Sequence, residues 1–431
     1  MGTTTLAPAL PLPQQLAQRD SERLRAYREN LEFYHGQQWT DARRGRDRRL
    51  TFNYARAMIE KAASYTMSGA SFVIDPADAS LEAHELARRA EQAVRDVYET
   101  NGLDQLDFDN EVDCSVLGDA AYKVTWDETA RRVRVTAPDV QGLFVWPHAG
   151  DHSRYWKVAS RYILSHEEAE ATIGEFAGGS GLGPIPTGRN EIGSGLVRRG
   201  GFPTNGRSAE HTVVEAWTDE TLELWVDSTL VEETANPYGF IPFVIYPNVR
   251  EPKQFWGVSD LAPLKEPLRE LNRTMSQLST ILELSGNPIA VLENVTEAQD
   301  IAVQPGAVWE IPEKARAYLL DLLQGGGVNL HIEYANLVLK TLHDLAEVPR
   351  SAFGESKQLS GVALQLELDP LLKKVQRKRL IRGAAFRRRN EMILRILEQY
   401  TGESFAPYRT RVVWPPVMPE DRSRLVNDEA R

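Results

Sequence analysis

Seven apolar residues spaced alternately three and four apart constrain this chain more than any other feature: Leu261, Leu264, Leu268, Leu271, Met275, Leu278 and Leu282. That spacing puts them on one stripe of an α-helix, while Lys265, Glu266, Arg269, Glu270, Asn272, Arg273, Gln277 and Glu283 fill the remaining surface. Pro263 and Pro267 stand near the entry, where missing backbone donors cost little, and Gly286 followed by Pro288 ends the helix. The uninterrupted part, Pro267 to Ser285, spans about 28 Å at 1.5 Å per residue. A lone helix of that length is marginal in water, so the stripe needs neighbours from the same chain or from copies of it.

Two further segments have matching patterns. One starts at Asn329, an N-cap, and carries Ile332, Ala335, Leu339, Leu342 and Ala346 before Pro349 stops it. The other runs from Val362 to Tyr400 with Leu364, Leu368, Leu371, Val375, Phe386, Ile393 and Leu397 as its apolar positions, and Pro370 is expected to bend or divide it. Its basic residues, Lys373, Lys374, Arg377, Lys378, Arg379, Arg382, Arg387, Arg388 and Arg389, cover too many turns to face one narrow line, and most of them are read as counter-charge to neighbouring acidic subunits, with some approaching nucleic acid. The segment between the first two helices, 287–328, reads as a small α/β unit. It has a strand at Pro288–Leu292, a turn at Gln304–Ala307, a returning strand at Val308–Ile311 and a short helix from Glu313 to Leu323.

The first 250 residues read as α+β. Residues 1–17 form a Pro- and Ala-rich tail, and helices are expected over 20–34, 52–67, 81–99 and 106–117, with Gly102 and Gly118 as stops. Strands follow at 72–74, 121–126, 132–137, 143–146, 155–163, 212–218, 222–226 and 243–246, and Val133 and Val135 alternating with Arg132, Arg134 and Thr136 mark a half-buried antiparallel strand. Helices packed on one side of an antiparallel sheet are the simplest arrangement. Between 174 and 206 the glycines fall among Pro, Ser, Asn and Arg, which reads as a mobile surface loop or as an interface loop ordered by a partner. Arg43, Arg44, Arg46, Arg48 and Arg49 form a basic run that is either a solvated or subunit-facing surface or a phosphate contact.

Composition narrows the function. With 61 acidic against 50 basic residues the formal charge is −11, which argues against a protein that wraps nucleic acid but not against one that lets it pass. Cys114 is the only cysteine, so an intrachain disulfide and a Cys-based zinc site are excluded. No window approaches 18 apolar residues and the N-terminus lacks a signal-peptide pattern, so a chain made in a reducing cytoplasm, with no membrane partner, is expected. There is no Gly-Lys-Ser/Thr phosphate loop, His-Glu-x-x-His or Gly-x-Ser-x-Gly. His148 and His152 beside Asp151 lack further ligands, and His331 and His343 read as polar helix contacts. The expectation is therefore a non-enzyme with no cofactor and no metal.

In the order of its blocks the chain resembles the portal proteins of tailed bacteriophages, the group related to the portal of the Bacillus phage SPP one. Leu31-Glu32-Phe33-Tyr34-His35-Gly36, Phe52-Asn53-Tyr54 with Tyr65 and Gly69, and Asn101-Gly102-Leu103 with Val116 to Tyr122 resemble its early blocks. The more specific part is Ile241 to Asn248, then Gly257-Val258-Ser259-Asp260-Leu261 and the helix through Asn272 and Ser276, then Ser360-Gly361-Val362-Ala363.

The resemblance implies a ring of twelve subunits, with thirteen when recombinant, forming a conduit for double-stranded DNA at the capsid portal vertex of a virion. It implies an N-terminal tail (1–19), an α+β wing (20–257), a first stem helix (258–286), a clip (287–328) and a second stem helix (329–347). A channel loop (348–360), a long kinked helix (361–400) and a wing-return strand with a truncated or absent crown (401–431) would follow. The leucine stripe Leu261 to Leu282 is expected to form the seam between subunits. Glu293, Glu297, Asp300 and Glu313 would meet the packaging terminase ATPase and later the head-completion adaptor, with Trp309 either in the clip's own core or an anchor for that partner, and Arg350 and Lys357, with Glu355 between them, would either meet the DNA or bridge adjacent subunits. Major capsid and scaffolding proteins complete the implied partners. A structural head-tail adaptor or capsid-associated ring without a packaging role is the alternative.

Overall fold

The computed structural model describes residues 11–39, 49–165, 168–169, 210–286, 289–293, 316–320, 327–354 and 361–417. The chain opens with α1 (Leu12–Gln18), α2 (Ser21–Tyr34) and α3 (Tyr54–Thr66), then β1 (Ser71–Ile74), α4 (Leu81–Asn101) and α5 (Leu103–Leu117). Strands β2 (Asp119–Asp127), β3 (Arg132–Thr136), β4 (Leu143–His148), β5 (Asp151–Ser165), β6 (Glu210–Trp217), β7 (Thr221–Val226) and β8 (Thr229–Ala235) follow. Then come β9 (Phe243–Pro247), β10 (Val249–Arg250), β11 (Gly257–Val258) and α6 (Lys265–Gly286). The last elements are β12 (Ile289–Glu293), β13 (Arg316–Leu320), α7 (Gly327–Ala346), α8 (Gly361–Thr401) and β14 (Thr410–Val413).

Local chemistry sets several of these boundaries. Asn53 accepts from the Arg56 amide at 3.1 Å to cap α3, and Ser80 caps α4 through the Ala83 amide at 3.1 Å. Gly118 ends α5 at φ 110°, and a Cβ there would lie 2.9 Å from the Ser259 backbone nitrogen, so only glycine lets the β11–α6 connection cross so closely.

All strand pairs among the described residues are antiparallel. β2 is flanked by β3 and β9 in a three-stranded sheet, and β4 to β8 form a five-stranded meander in sequence order. Lys123 of β2 reaches Glu215 of β6 at 2.7 Å, a buried pair that ties the two sheets together. The largest core lies between β3-β2-β9 and the helices α4, α5 and α8, around Val94, Leu103, Tyr122, Phe243 and Ile393. A second core gathers α2, α3, α6, α7 and α8 around Phe33, Met58, Leu268, Leu342 and Leu371. β1 pairs with β14, Ser71 opposite Val413, so a strand near the end of the described chain completes the edge begun at residue 71.

Two expectations are corrected, one strand is new and one alternative is narrowed. The region read as a tail contains α1, whose Leu12 and Leu16 are buried against Phe144, Ala159 and Val214 on the five-stranded sheet. β8 went unread because most of its side chains are exposed on an edge strand, which removes the apolar alternation that marks a half-buried one. The helix expected over 313–323 is displaced by β13, which pairs with β12 from Ile289–Leu320 to Glu293–Arg316. Cross-strand pairing overrides the helix preference of an Ala- and Leu-containing segment. Of the two outcomes expected at Pro370, a bend or a division, the division does not occur: α8 runs as one helix from Gly361 to Thr401. The strand expected at 308–311, the glycine-rich stretch 174–206 and Arg43, Arg44, Arg46 and Arg48 lie outside the described residues.

Candidate functional site

The long helices meet the α+β region at a buried polar hub. Lys374, Lys378 and Arg382 recur every four residues on the inner side of α8, and opposite them stand Glu111 and Ser115 of α5 with Asn248 and Asp260 of the connections around β10 and β11. Lys378 Nζ lies 2.7 Å from Asp260 Oδ2, 2.7 Å from Ser115 Oγ and 3.3 Å from Glu111 Oε1. Arg382 donates through Nε to Glu111 Oε2 at 2.6 Å and through Nη2 to Glu111 Oε1 at 3.0 Å. The same guanidinium meets the Asn248 carbonyl at 2.7 Å and Asn248 Oδ1 at 2.8 Å. Lys374 closes the group at 3.3 Å from Asp260 and donates to the Ala346 carbonyl at the end of α7.

The electrostatics follow from this geometry. Burial would raise the carboxyl groups of Asp260 and Glu111, but Lys374 and Lys378 hold the first, and Arg382 and Lys378 the second, below their ordinary values. Burial pushes the Lys374 ammonium down, against the pull of Asp260. Two turns further along, Arg389 grips Asp107 with both terminal nitrogens and donates to Tyr98 Oη at 2.6 Å. Arg379 donates to the Thr66 and Pro415 carbonyls at 3.0 and 2.8 Å, bonding α8 to the end of α3 and to the stretch after β14. These cations are therefore not counter-charge for neighbouring subunits: Lys374, Lys378, Arg379, Arg382 and Arg389 are all buried within their own chain. Lys373, Arg377, Arg387 and Arg388 remain exposed.

The leucine stripe has a similar fate. Leu261, Leu264, Leu268 and Leu271 are buried in the core shared with α2, α3, α7 and α8, Met275 is partly buried against it, and Leu278 is intermediate. Leu282 is 52% exposed. The chain itself covers the first half of the stripe, so those four leucines have no face left to offer a neighbour. The open apolar surface lies on α7, where Leu330, Tyr334, Leu337 and Leu345 are exposed.

After α7 the chain turns through Val348, fully buried, and a 3-10 turn at Arg350–Phe353, with His343 Nδ1 2.7 Å from the Val348 carbonyl. Arg350 is exposed on this turn, whereas Glu355 and Lys357 lie outside the described residues. Glu293 ends β12 opposite Arg316, and Glu297, Asp300, Trp309 and Glu313 lie outside the described residues. Among the described residues no group of three or more His, Cys, Asp or Glu is placed to hold a metal, and no helix is long and apolar enough to cross a membrane.

A family model described as "Phage portal protein, SPP1 Gp6-like" matches residues 14–152 and 202–430. The chain belongs to the phage portal protein family. Its two matched stretches include the hub, since Glu111 falls in the first and Asn248, Asp260 and α8 in the second. Membership carries the general role of this family, a ring of copies around a DNA channel at a capsid vertex, with DNA and capsid as partners. No curated protein matches the chain. Portal-family membership says nothing of the hub, and sequence reasoning missed its acids. The available signal was the crowding of α8, where buried-type residues such as Val375, Ala385 and Phe386 alternate with cations so closely that some cations must turn inward and find carboxylates.

Proposed function

We propose that this protein forms a twelve-membered portal ring that conducts double-stranded DNA during packaging and ejection, and that docks the packaging ATPase and then the head-completion proteins. The observation that carries this reading is the family match over both parts of the chain, joined to a hairpin of two long helices, α6 and α7, with the β12–β13 pair between them. In this reading residues 20–257 are the wing, α6 and α7 the stem, 287–328 the clip and 348–360 the channel loop. The chain has no phosphate loop, so the energy for translocation comes from a partner. Glu293, Glu297, Asp300 and Glu313 make the clip acidic for that partner, and Trp309 is its candidate anchor. Arg350 and Lys357, with Glu355 between them, are the proposed DNA-facing charges of the channel loop, and an otherwise acidic chain limits how tightly phosphate is held.

Class averages of the purified protein viewed along its axis test the reading. A closed ring with a central channel is expected, and particles without a channel would defeat it. In a reconstituted packaging reaction, Arg350→Glu with Lys357→Glu should leave rings intact and change DNA retention, with a difference that shrinks as salt rises.

A further inference from the structure

A groove of about 750 Å³ runs between α6 and α7, lined among others by Gln38, Trp39, Pro267, Tyr334, Leu337 and Val338. Its walls are unusually open for apolar residues: Leu337 is 60% exposed and Trp39 36%. Gln38, in contrast, is buried, and while its Oε1 accepts from Asn272 Nδ2 at 2.8 Å, its Nε2 has no acceptor among the described residues. A buried donor left unpaired is costly, so the groove is missing an occupant that brings an acceptor as well as apolar surface.

We infer that the occupant is the next copy of this chain, and that the part of it seated in the groove is the outer stripe of α8. The inference rests on the ring assembly proposed for this protein. In a ring the contact is heterologous, so the patch on one copy must meet a different patch on its neighbour. Among the described helices only α7 and α8 expose more than one large apolar side chain, and on α8 these are Val362, Leu366 and Leu380, the last two 72% and 77% exposed. The two faces agree in length. Leu330 to Leu345 on α7 covers about 22 Å and Leu366 to Leu380 on α8 about 21 Å at 1.5 Å per residue. The rim carries both signs: Glu266, its side chain 82% exposed and paired with Arg269, and Glu270 stand beside Arg269 and Arg273, so exposed Lys373, midway along the α8 stripe, meets a carboxylate only in a register that brings it to Glu266 or Glu270. This is a helix-in-groove contact, with the apolar positions anchoring and the charges setting register.

Dilution series of the full chain, followed by mass photometry, test the contact. Leu337→Asp and Leu366→Asp should each raise the concentration for half-assembly by about tenfold or more while leaving the circular dichroism of the protomer unchanged. Crosslinking gives a second arm. Cys114 is buried and its thiol is pushed up by that burial, so it does not compete with introduced thiols. The double variant Leu337→Cys with Leu366→Cys, treated with a short bis-maleimide, should give a ladder of covalent multimers on denaturing gels, and either single variant should not. Rings that dilute like wild type in both aspartate variants, or a double variant that forms rings but runs only as monomer after crosslinking, would overturn this inference and leave the portal reading standing. A wild-type chain that never forms rings would overturn both.

Discussion

The inner and outer sides of the long helices are built from the same residue types and do opposite things. On the inner side, Leu268 and Leu271 of α6 and Lys374, Lys378, Arg382 and Arg389 of α8 are buried, the leucines by other helices and the cations by Glu111, Asp260 and Asp107. On the outer side, Leu337 and Leu380 face open space, and Arg377 meets Glu347 at 2.7 Å near the surface. Periodicity states that a face will be covered but not by whom. The first half of the α6 stripe is covered within the chain, and so are Ala335, Leu342 and Ala346 of α7, whereas Leu330, Tyr334, Leu337 and Leu345 on another face of α7 stay open.

The largest effect should come from placing a charge on the inner apolar side. Leu268→Asp puts a carboxylate where Leu268 is fully buried, which should cost about 5 kcal/mol or more and abolish the folded protomer. A cooperative near-wild-type melt for this variant would show that the inner side is not the core described here. The matching outer change, Leu337→Asp, should leave the protomer melt within about 0.5 kcal/mol, measured by urea unfolding under monomeric conditions.

Next in size is the hub. Glu111→Ala removes the carboxylate shared by Lys378 and Arg382 and leaves both cations buried, at a cost of about 3–5 kcal/mol in urea unfolding. Adding Arg382→Met to Glu111→Leu should recover part of that loss, because an apolar pair of similar volume often replaces a buried ion pair without penalty. If the double variant is no more stable than Glu111→Ala, the hub's charges contribute more than mutual neutralisation.

A single acid beside the hub gives a smaller, pH-dependent effect. Asp119 accepts from Tyr27 Oη at 2.5 Å and from the Gly257 amide at 2.7 Å, yet burial dominates and pushes its carboxyl up to about 6. In the unfolded chain it titrates near about 3.9. The folded state therefore binds more protons between these values, so this contribution is complete below about pH 4 and lost as pH rises through about 6. It amounts to at most about 3 kcal/mol. Asp119→Asn should flatten the stability profile between pH 4 and 7, and a profile unchanged by the substitution would remove the assignment. Asp260 and Glu111 act with the opposite sign: their lowered values add stability above the ordinary carboxylate range that is lost as pH falls below it.

The smallest effect belongs to the outer charges. Arg377→Ala breaks an exposed pair and should cost about 0.2–1 kcal/mol, fading with added salt. A loss as large as that of Glu111→Ala would erase the distinction between the two sides.

What could be read in advance follows from the range of each interaction. Helices such as α4 and strands such as β3 declare themselves through local periodicity, and Gly102 and Gly118 mark their stops. α1 hides because Leu12 and Leu16 are explained only by a sheet that begins beyond residue 140, and β13 because its partner β12 lies across a long connection. The hub is the extreme case. Nothing near Arg382 indicates that its carboxylate is Glu111, 271 residues earlier, and no local pattern distinguishes the inward Lys378 from the outward Lys373. Of the seven stripe residues expected to need cover, Leu261, Leu264, Leu268 and Leu271 find it within their own chain. Arg350 opens the 3-10 turn after α7 and Glu293 ends β12, and no local pattern shows what partner either would meet.

The pairing of β1 with β14 has a consequence for how the protein is made. Ser71 waits for Val413, 342 residues later, and the acids of α5 wait for α8. At about 5–20 residues per second, a ribosome takes roughly 17 to 70 s to supply that last strand. Throughout that interval the N-terminal region holds an open edge and unmatched carboxylates, so its final form is reached only after nearly all the described chain has left the ribosome. Copies of the chain then meet one another as finished protomers, and the growth of a ring is separated in time from the folding of its parts.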